Sequence, residues 1–163
     1  MLATAAAIFS ILLIVTGAAK IVRPHDVTKA LVDLGLPRLP AAGVMVGVIE
    51  VAIGVGALLF TPVLIAQGFL YSAFAVWVLV ALRADVPIAS CGCLGRDDTP
   101  PTIAHIVLNV LGAFLSFAAV SGSGLVIESV LQGVAQVVVI GVGVFLSYLV
   151  LNQAARLAGV RRS

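Results

Sequence analysis

Long, uninterrupted apolar runs are the feature of this sequence that most constrains its fold. Five such spans can be read, over residues 2–22, 41–60, 63–82, 102–120 and 126–151. Each reaches about 19 residues or more, which is enough for a helix to cross a hydrocarbon core of ~30 Å. Lipid offers the backbone no hydrogen-bonding partner, so spans of this kind fold as helices. The sequence therefore predicts an all-α integral membrane bundle of about five transmembrane helices.

The composition agrees with a membrane protein and excludes a nucleic-acid-binding one. Hydrophobic residues make up 62% of the chain and charged residues 10%, and the mean hydropathy is +1.25. A soluble domain is about a quarter charged, so this chain has too little polar surface to cover a water-soluble globule. The formal charge of +2 is too small to attract nucleic acid. The first span has no basic residue before it and has Lys20 at its far end, so we interpret it as a retained helix rather than a cleaved signal peptide.

The distribution of basic residues predicts the topology. The turns at residues 60–63 and 121–124 are minimal, and five spans place them on the same side of the membrane as the N-terminus. The opposite side receives all nine basic residues, which are Lys20, Arg23, Lys29, Arg38, Arg83, Arg96, Arg156, Arg161 and Arg162. The positive-inside rule then predicts a bacterial inner-membrane protein with its N-terminus outside and its C-terminus in the cytoplasm.

The loop at residues 86–101 holds the only two cysteines, Cys91 and Cys93, on either side of Gly92. Gly92 has no Cβ, so the chain can bend enough to bring the two thiols within disulfide distance. A ring this small is strained, and strain raises the reduction potential of a disulfide. The pair is therefore predicted to accept electrons readily and to be a poor structural staple.

Neighbouring side chains can tune the two thiols. Arg96 favours the thiolate, and the acidic residues that follow it oppose that effect. His105, near the start of the fourth span, is placed to exchange a proton with a thiol. Two other interpretations stay open. The thiolates and the imidazole can hold copper(I) or zinc, although a clear fourth ligand is missing and no metal site is assigned. Alternatively, the cysteines are unreactive residues of a polar turn.

Polar residues inside the apolar spans point to a second element of the site. Glu50 is predicted to lie roughly 13 Å deep in the second span and Asn109 roughly 10 Å deep in the fourth. His105 and Asn109 are four residues apart and share a helix face. Lys20 ends the first span on the same side and can reach toward Glu50. We expect a polar cluster beneath the cysteine loop, with snorkelling of Lys20 and simple helix-to-helix hydrogen bonding of Glu50 as the alternatives.

Three segments together carry a family resemblance. They are "TGAAKIVRPHDVTKALVDLGLP", "GVIEVAIGV", and "SCGCLG" followed by "PTIAHIVLNVLGA". These segments resemble the MauE/DoxX family of redox-associated membrane proteins, and the MauE branch fits better because of the Cys-Gly-Cys loop and the His and Asn downstream of it. The resemblance covers residues 1–120 as a four-helix membrane core. Residues 121–163 are predicted to add a further transmembrane helix and a short basic tail.

The resemblance implies membrane-bound thiol–disulfide chemistry. MauE is associated with methylamine utilisation, where it is thought to act with a thioredoxin-like partner on a disulfide-rich dehydrogenase subunit, and DoxX relatives are linked to quinone-coupled sulfur oxidation. By position, Cys91 and Cys93 match the redox pair. Recurrent polar positions of the family match His105, Asn109, Lys20 and Glu50. We take His105 with the cysteines as the catalytic set, and the other three residues as binding a cofactor.

The expected function is a thiol–disulfide relay that exchanges electrons between a thioredoxin-fold partner and a membrane quinone. Whether the chain is an oxidoreductase in its own right is left open. One alternative is a non-enzymatic accessory subunit of a larger membrane complex, and another is a copper or zinc transport protein. The family's partner works outside the cytoplasm, whereas the basic residues place the cysteine loop inside. The charge pattern decides the predicted topology, because it assigns every basic residue to one side.

The predicted topology can be tested by thiol labelling. Cys91, Cys93 and the C-terminal arginines are expected to face the cytoplasm together, because all basic residues fall on one side. With the outer envelope opened, a membrane-impermeant maleimide should leave the reduced cysteines of intact cells unlabelled and should label them after lysis. Rapid labelling of intact cells would reverse the orientation and place the cysteine loop with an extracytoplasmic partner.

Overall fold

The fold was analysed in a computed structural model, which describes residues 2–33, 35–83, 102–121 and 130–160. Over these residues the chain is helical and contains no strand. The six helices are α1 Leu2–Val22, α2 His25–Asp33, α3 Ala42–Leu59, α4 Val63–Arg83, α5 Ile103–Val120 and α6 Val130–Val160. The prediction of an all-α membrane bundle is confirmed.

Four of the helices described, α1, α3, α4 and α5, are long and apolar enough to cross a membrane. Their bounds agree with the first four predicted spans to within one residue. The fifth predicted span, residues 126–151, falls partly outside the described residues. Its described part belongs to α6, Val130–Val160, in which the stretch Val137–Val150 is apolar. A fifth membrane crossing therefore stays a prediction.

The four spanning helices alternate in direction along the bundle. α1 packs most extensively against α3, and α4 packs most extensively against α5. α1 also contacts α5 and α6, so it lies at the centre of the assembly. The alternation brings the ends of α1 and α4 to the same end of the bundle as the beginnings of α3 and α5. We call this end the loop end, because the segment that carries the cysteines connects α4 to α5 there.

Glycines let α1 and α3 approach very closely. The buried face of α3 consists of Gly43, Gly47, Glu50 and Gly54. A Cβ atom built on Gly47 would lie 2.6 Å from the carbonyl oxygen of Gly17, a distance that no side chain tolerates. Small residues are the usual means of close helix packing in lipid, where interhelical van der Waals contact replaces the hydrophobic effect. Glu50 is thus placed on the most extensive helix contact in the described part of the chain.

Aromatic packing holds α1, α4 and α5 together at mid-depth. Phe9 and Tyr71 meet edge to face with ring centroids 5.5 Å apart, and the Tyr71 hydroxyl donates a 2.7 Å hydrogen bond to the Phe9 carbonyl oxygen. Leu13 and Ala113 complete this buried cluster. The large apolar side chains that face outward, such as Phe114, suit contact with lipid rather than water. Tyr71 is one of the few polar groups in this layer, and its hydrogen bond satisfies it.

A short helix follows α1 at the loop end. The sequence predicts it over residues 29–34 with an end at Gly35, and α2 begins earlier, at His25. Gly35 has a φ of +76°, and the backbone N–H groups of Gly35 and Leu36 bond the carbonyls of Val32 and Leu31 at 2.9 and 3.0 Å. This is the Schellman pattern, in which a left-handed residue ends a helix. α2 packs on α3 and covers the side of the bundle near Lys20.

The glycine contact predicts opposite effects for one substitution at two sites. Gly47→Ala is expected to lower the thermal unfolding midpoint of the purified protein in detergent, since overpacking costs ~1–3 kcal/mol. Gly141→Ala in α6 is the matched control, because a Cβ at Gly141 meets nothing within 4 Å and alanine favours a helix by up to ~1 kcal/mol. A stable Gly47→Ala protein with an unchanged midpoint would contradict the close-contact account.

Candidate functional site

A buried ion pair lies beneath the loop end. The Lys20 Nζ donates hydrogen bonds to both carboxylate oxygens of Glu50, at 2.7 and 2.8 Å. Glu50 is fully buried and Lys20 is 5% exposed. The Thr16 hydroxyl lies 3.3 Å from the second carboxylate oxygen. As the sequence indicated, Lys20 reaches inward to Glu50, so the snorkelling alternative for Lys20 is wrong.

Each member of this pair needs the other. Charges removed from water carry a desolvation cost of several kcal/mol, which is offset only when good geometry and further hydrogen bonds compensate. Here the ammonium contacts both carboxylate oxygens, and it lies 5.5 Å from the centre of the Phe74 ring, where a cation is attracted to the aromatic face. The pair therefore fixes α1 against α3 at one register.

His105 is buried at the start of α5, and its hydrogen bonds define its tautomer. The backbone N–H of Thr102 donates to His105 Nδ1 at 3.3 Å, and the Thr102 hydroxyl lies 2.7 Å from the same nitrogen. The side chain thus takes the place that glutamate holds in a capping box at a helix start. Because Nδ1 accepts, the neutral ring carries its proton on Nε2. Nε2 is buried and has no hydrogen-bond partner among the residues described.

A small cavity joins the two groups. It has a volume of about 40 Å³, and its polar lining comes from Thr16, Lys20, Tyr71, His105 and Asn109. This volume suffices for a bound water molecule, which needs at least ~10–15 Å³. The structure therefore places three of the predicted polar residues around one cavity: Lys20, His105 and Asn109.

Glu50 lies next to this cavity, on the far side of Lys20. It does not line the cavity, and in the described part of the chain its hydrogen-bond partners are the Lys20 ammonium and the Thr16 hydroxyl. The predicted cluster of Glu50, His105 and Asn109 is therefore linked through Lys20 rather than by direct hydrogen bonds. The catalytic role of His105 and the cofactor-binding roles of Lys20, Glu50 and Asn109 stay predictions.

Cys91 and Cys93 lie outside the described residues, as do Arg96 and the whole predicted loop at residues 86–101. The structure does define where that loop leaves and rejoins the bundle. α4 ends at Arg83, and Thr102 precedes α5 by one residue. The buried imidazole of His105 is thus three residues inside the point at which the loop re-enters the bundle.

A buried polar network centred on Gln67 was missed by the sequence analysis. Gln67 of α4 is fully buried and connects three helices. Its carbonyl oxygen accepts a 2.7 Å hydrogen bond from Ser10 of α1, and its amide nitrogen donates at 3.0 Å to Ser116 of α5. A glutamine inside an apolar span is the signal that would have identified it. This network lies in the half of the bundle away from the loop end and satisfies its own polar groups.

Metal binding finds no support in the described part of the chain. No group of three or more His, Cys, Asp or Glu residues with metal-binding geometry occurs there. The metal alternative from the sequence depends on Cys91 and Cys93, which that part does not include.

The fold and this buried polar centre define a multi-pass helical membrane protein. Residues 1–122 match the family model described as methylamine utilisation protein MauE, and the chain belongs to the MauE family. The resemblance to MauE is thereby confirmed, whereas the match gives no support for the DoxX side of it. Comparisons with curated proteins and with solved structures found no match.

The ion pair predicts a non-additive pair of substitutions. Lys20→Met is expected to destabilise the protein by ~3–5 kcal/mol, because it leaves the Glu50 carboxylate buried without its counter-charge. Adding Glu50→Gln should recover more than half of that loss, since the double variant buries no charge. Thermal unfolding in detergent measures both effects.

Arg83→Met serves as the control for this cycle. It also removes one basic residue at the loop end, but Arg83 is exposed, so the expected change is ~0–1 kcal/mol. Additive losses in the double variant would show that Lys20 and Glu50 contribute to stability independently.

Proposed function

We propose that this MauE-family protein is a membrane thiol–disulfide relay. Cys91 and Cys93 cycle between dithiol and disulfide, and they exchange electrons with a thioredoxin-fold protein on one side and with a membrane quinone on the other. The family description, methylamine utilisation protein, agrees with a role in maturing a protein of that process. The inner membrane is the proposed location, with the cysteine loop on the cytoplasmic side.

The observation that carries the proposal is the buried polar centre at the loop end. His105 is held by Thr102 with its Nε2–H directed away from that contact, and it shares a water-sized cavity with the charged Lys20. Ionisable groups at membrane depth are costly and usually serve a function. A purely structural centre would not need an imidazole nitrogen that lacks a partner among the described residues.

The proposed reaction is balanced through the two cysteines. A thiolate of the partner attacks the Cys91–Cys93 disulfide and forms a mixed disulfide, which releases one cysteine as a thiol. The partner's second thiol then resolves this adduct, so the partner leaves oxidised and the cysteine pair is left as a dithiol. Reoxidation of the dithiol passes two electrons and two protons to the quinone, which becomes a hydroquinone. The same steps run in reverse when the quinone pool is reduced.

His105 is proposed to move the protons of the second half-reaction. Its neutral ring can donate from Nε2 and regain a proton at Nδ1 if the contact with Thr102 opens. A water molecule in the small cavity would accept a hydrogen bond from Nε2 and reach the Asn109 side chain, which lines the same space. Lys20 and Glu50 together supply a fixed charge pair that orients this water without adding net charge to the bilayer interior.

An accessory subunit of a larger membrane complex is the rival function. In that case Cys91 and Cys93 undergo no redox cycle, and their replacement leaves the complex active. The two functions therefore differ in what happens when the thiols are removed one at a time.

Single cysteine variants are expected to trap the partner. Cys91→Ser or Cys93→Ser should accumulate a covalent adduct with a thioredoxin-fold protein in the reverse direction, because the remaining cysteine attacks the disulfide of the oxidised partner and no neighbouring thiol is left to resolve the mixed disulfide. Non-reducing electrophoresis of membranes after acid quenching and alkylation detects the adduct, and dithiothreitol should remove it. Cys93, nearer Arg96, is expected to be the more acidic thiol.

The double variant Cys91→Ser/Cys93→Ser is the matched control and should form no adduct. Full activity of the double variant, with no adduct in either single variant, would reject the relay in favour of an accessory subunit. Loss of a bound metal ion from both single variants, again without an adduct, would instead indicate the copper or zinc alternative.

A further inference from the structure

A second and much larger cavity lies beside the ion pair. It occupies about 380 Å³ between α2, α3 and α4, and we call it the α2 cavity. Its lining includes Lys20, Val27, Leu31, Val46, Phe74 and Trp77. Lys20 and Phe74 also line the small cavity next to His105, so these two side chains form the partition between the two spaces.

The size of each cavity decides which of them can receive a ring compound. Sites for small molecules in proteins have volumes of about 300–1,000 Å³. The α2 cavity falls within this range, whereas the space of about 40 Å³ beside His105 and Asn109 admits water only. The two volumes therefore favour the α2 cavity over the space beside Asn109 and His105 as the site of a ring ligand.

The charge of the α2 cavity selects an uncharged ligand. Among the described residues that line it, Lys20 is the one ionisable residue, and the Glu50 carboxylate already balances that charge. An ionic ligand would bring an unmatched charge into an apolar space, which is costly. An ammonium has three N–H donors, and Glu50 occupies two of those of Lys20. The third remains for a neutral acceptor such as a carbonyl oxygen.

The remaining walls suit a flat ring with an apolar tail. Phe74 and Trp77 are neighbouring aromatic residues on one face of α4, and the aliphatic side chains of α2 and α3 line the rest of the space. Aromatic side chains pack well against flat rings in offset or edge-to-face arrangements.

We propose that the α2 cavity binds the ring of a membrane quinone, with Lys20 donating a hydrogen bond to one carbonyl oxygen and Trp77 in contact with the ring. This inference rests on the relay proposed above and assigns its electron acceptor a site. It separates two roles. Lys20 contacts the quinone, whereas His105 and Asn109 lie in the small cavity on the other side of Lys20 and take part in proton transfer.

The fluorescence of Trp77 reports directly on binding at this cavity, because Trp77 is the only tryptophan of the chain. Decylubiquinone titrated into the purified protein in detergent or nanodiscs is expected to quench its fluorescence in a saturable manner. Ala73→Leu places a larger side chain in the cavity lining and should weaken the apparent affinity by about tenfold or more. Ala66→Leu is the matched control, since Ala66 lies two turns earlier on α4, is exposed and lines neither cavity, and its affinity should match that of the unmodified protein.

Quenching that rises linearly with decylubiquinone, or that is equally strong in Ala73→Leu, would overturn the site, because either result indicates simple partition into the detergent or lipid. The double variant Cys91→Ser/Cys93→Ser separates this inference from the relay. It should quench as the unmodified protein does, since ring binding needs no thiol. If partner adducts are trapped but quenching is not saturable, the quinone site in the α2 cavity is rejected and the relay is kept. If quenching is saturable but no adduct forms, the relay is rejected and the quinone site is kept.

Discussion

The buried contact between Lys20 and Glu50 is the constraint on which the rest of the bundle depends. It requires α1 and α3 to lie close together, which the glycines of α3 permit, and it fixes the register of the two helices. That register places Lys20 between two cavities of very different size, one beside His105 and one beneath α2. A charge pair in lipid is an expensive way to join two helices, and here it also provides the polar centre of the proposed site.

The helices could be predicted from the sequence because membrane spans obey a simple length rule. The bounds of α1, α3, α4 and α5 follow from runs of apolar residues ended by proline, glycine or charge. Lys20 and Glu50 were also identifiable, since a charge inside an apolar span needs a partner and Lys20 ends the first apolar span on the same side. Gln67 obeys the same rule and was overlooked, although its contacts with Ser10 and Ser116 are as buried as the ion pair.

Other parts of the site could not be read from the sequence. The tautomer of His105 depends on the backbone conformation of Thr102, which sequence spacing does not fix. The volumes of the two cavities depend on how α2 folds back over α3, and no residue pattern measures a volume. The sequence predicted that Glu50, Asn109 and Lys20 bind a cofactor, and of these three Lys20 alone lines the larger cavity.

The 30 residues that separate Lys20 from Glu50 have a consequence for biosynthesis. A chain made from its N-terminus delivers α1 to the membrane before α3 has left the ribosome. Lys20 lies near the end of α1, so its flexible stem can keep the ammonium at the lipid headgroups while it waits. Glu50 lies deep in α3, and its short side chain cannot reach the headgroups. It enters the bilayer after its counter-charge is in place. Because the basic residue precedes the acidic one along the chain, the free-energy barrier to inserting Glu50 is lowered. If the acidic residue came first, its carboxylate would lie in lipid without a counter-charge until the second helix was inserted.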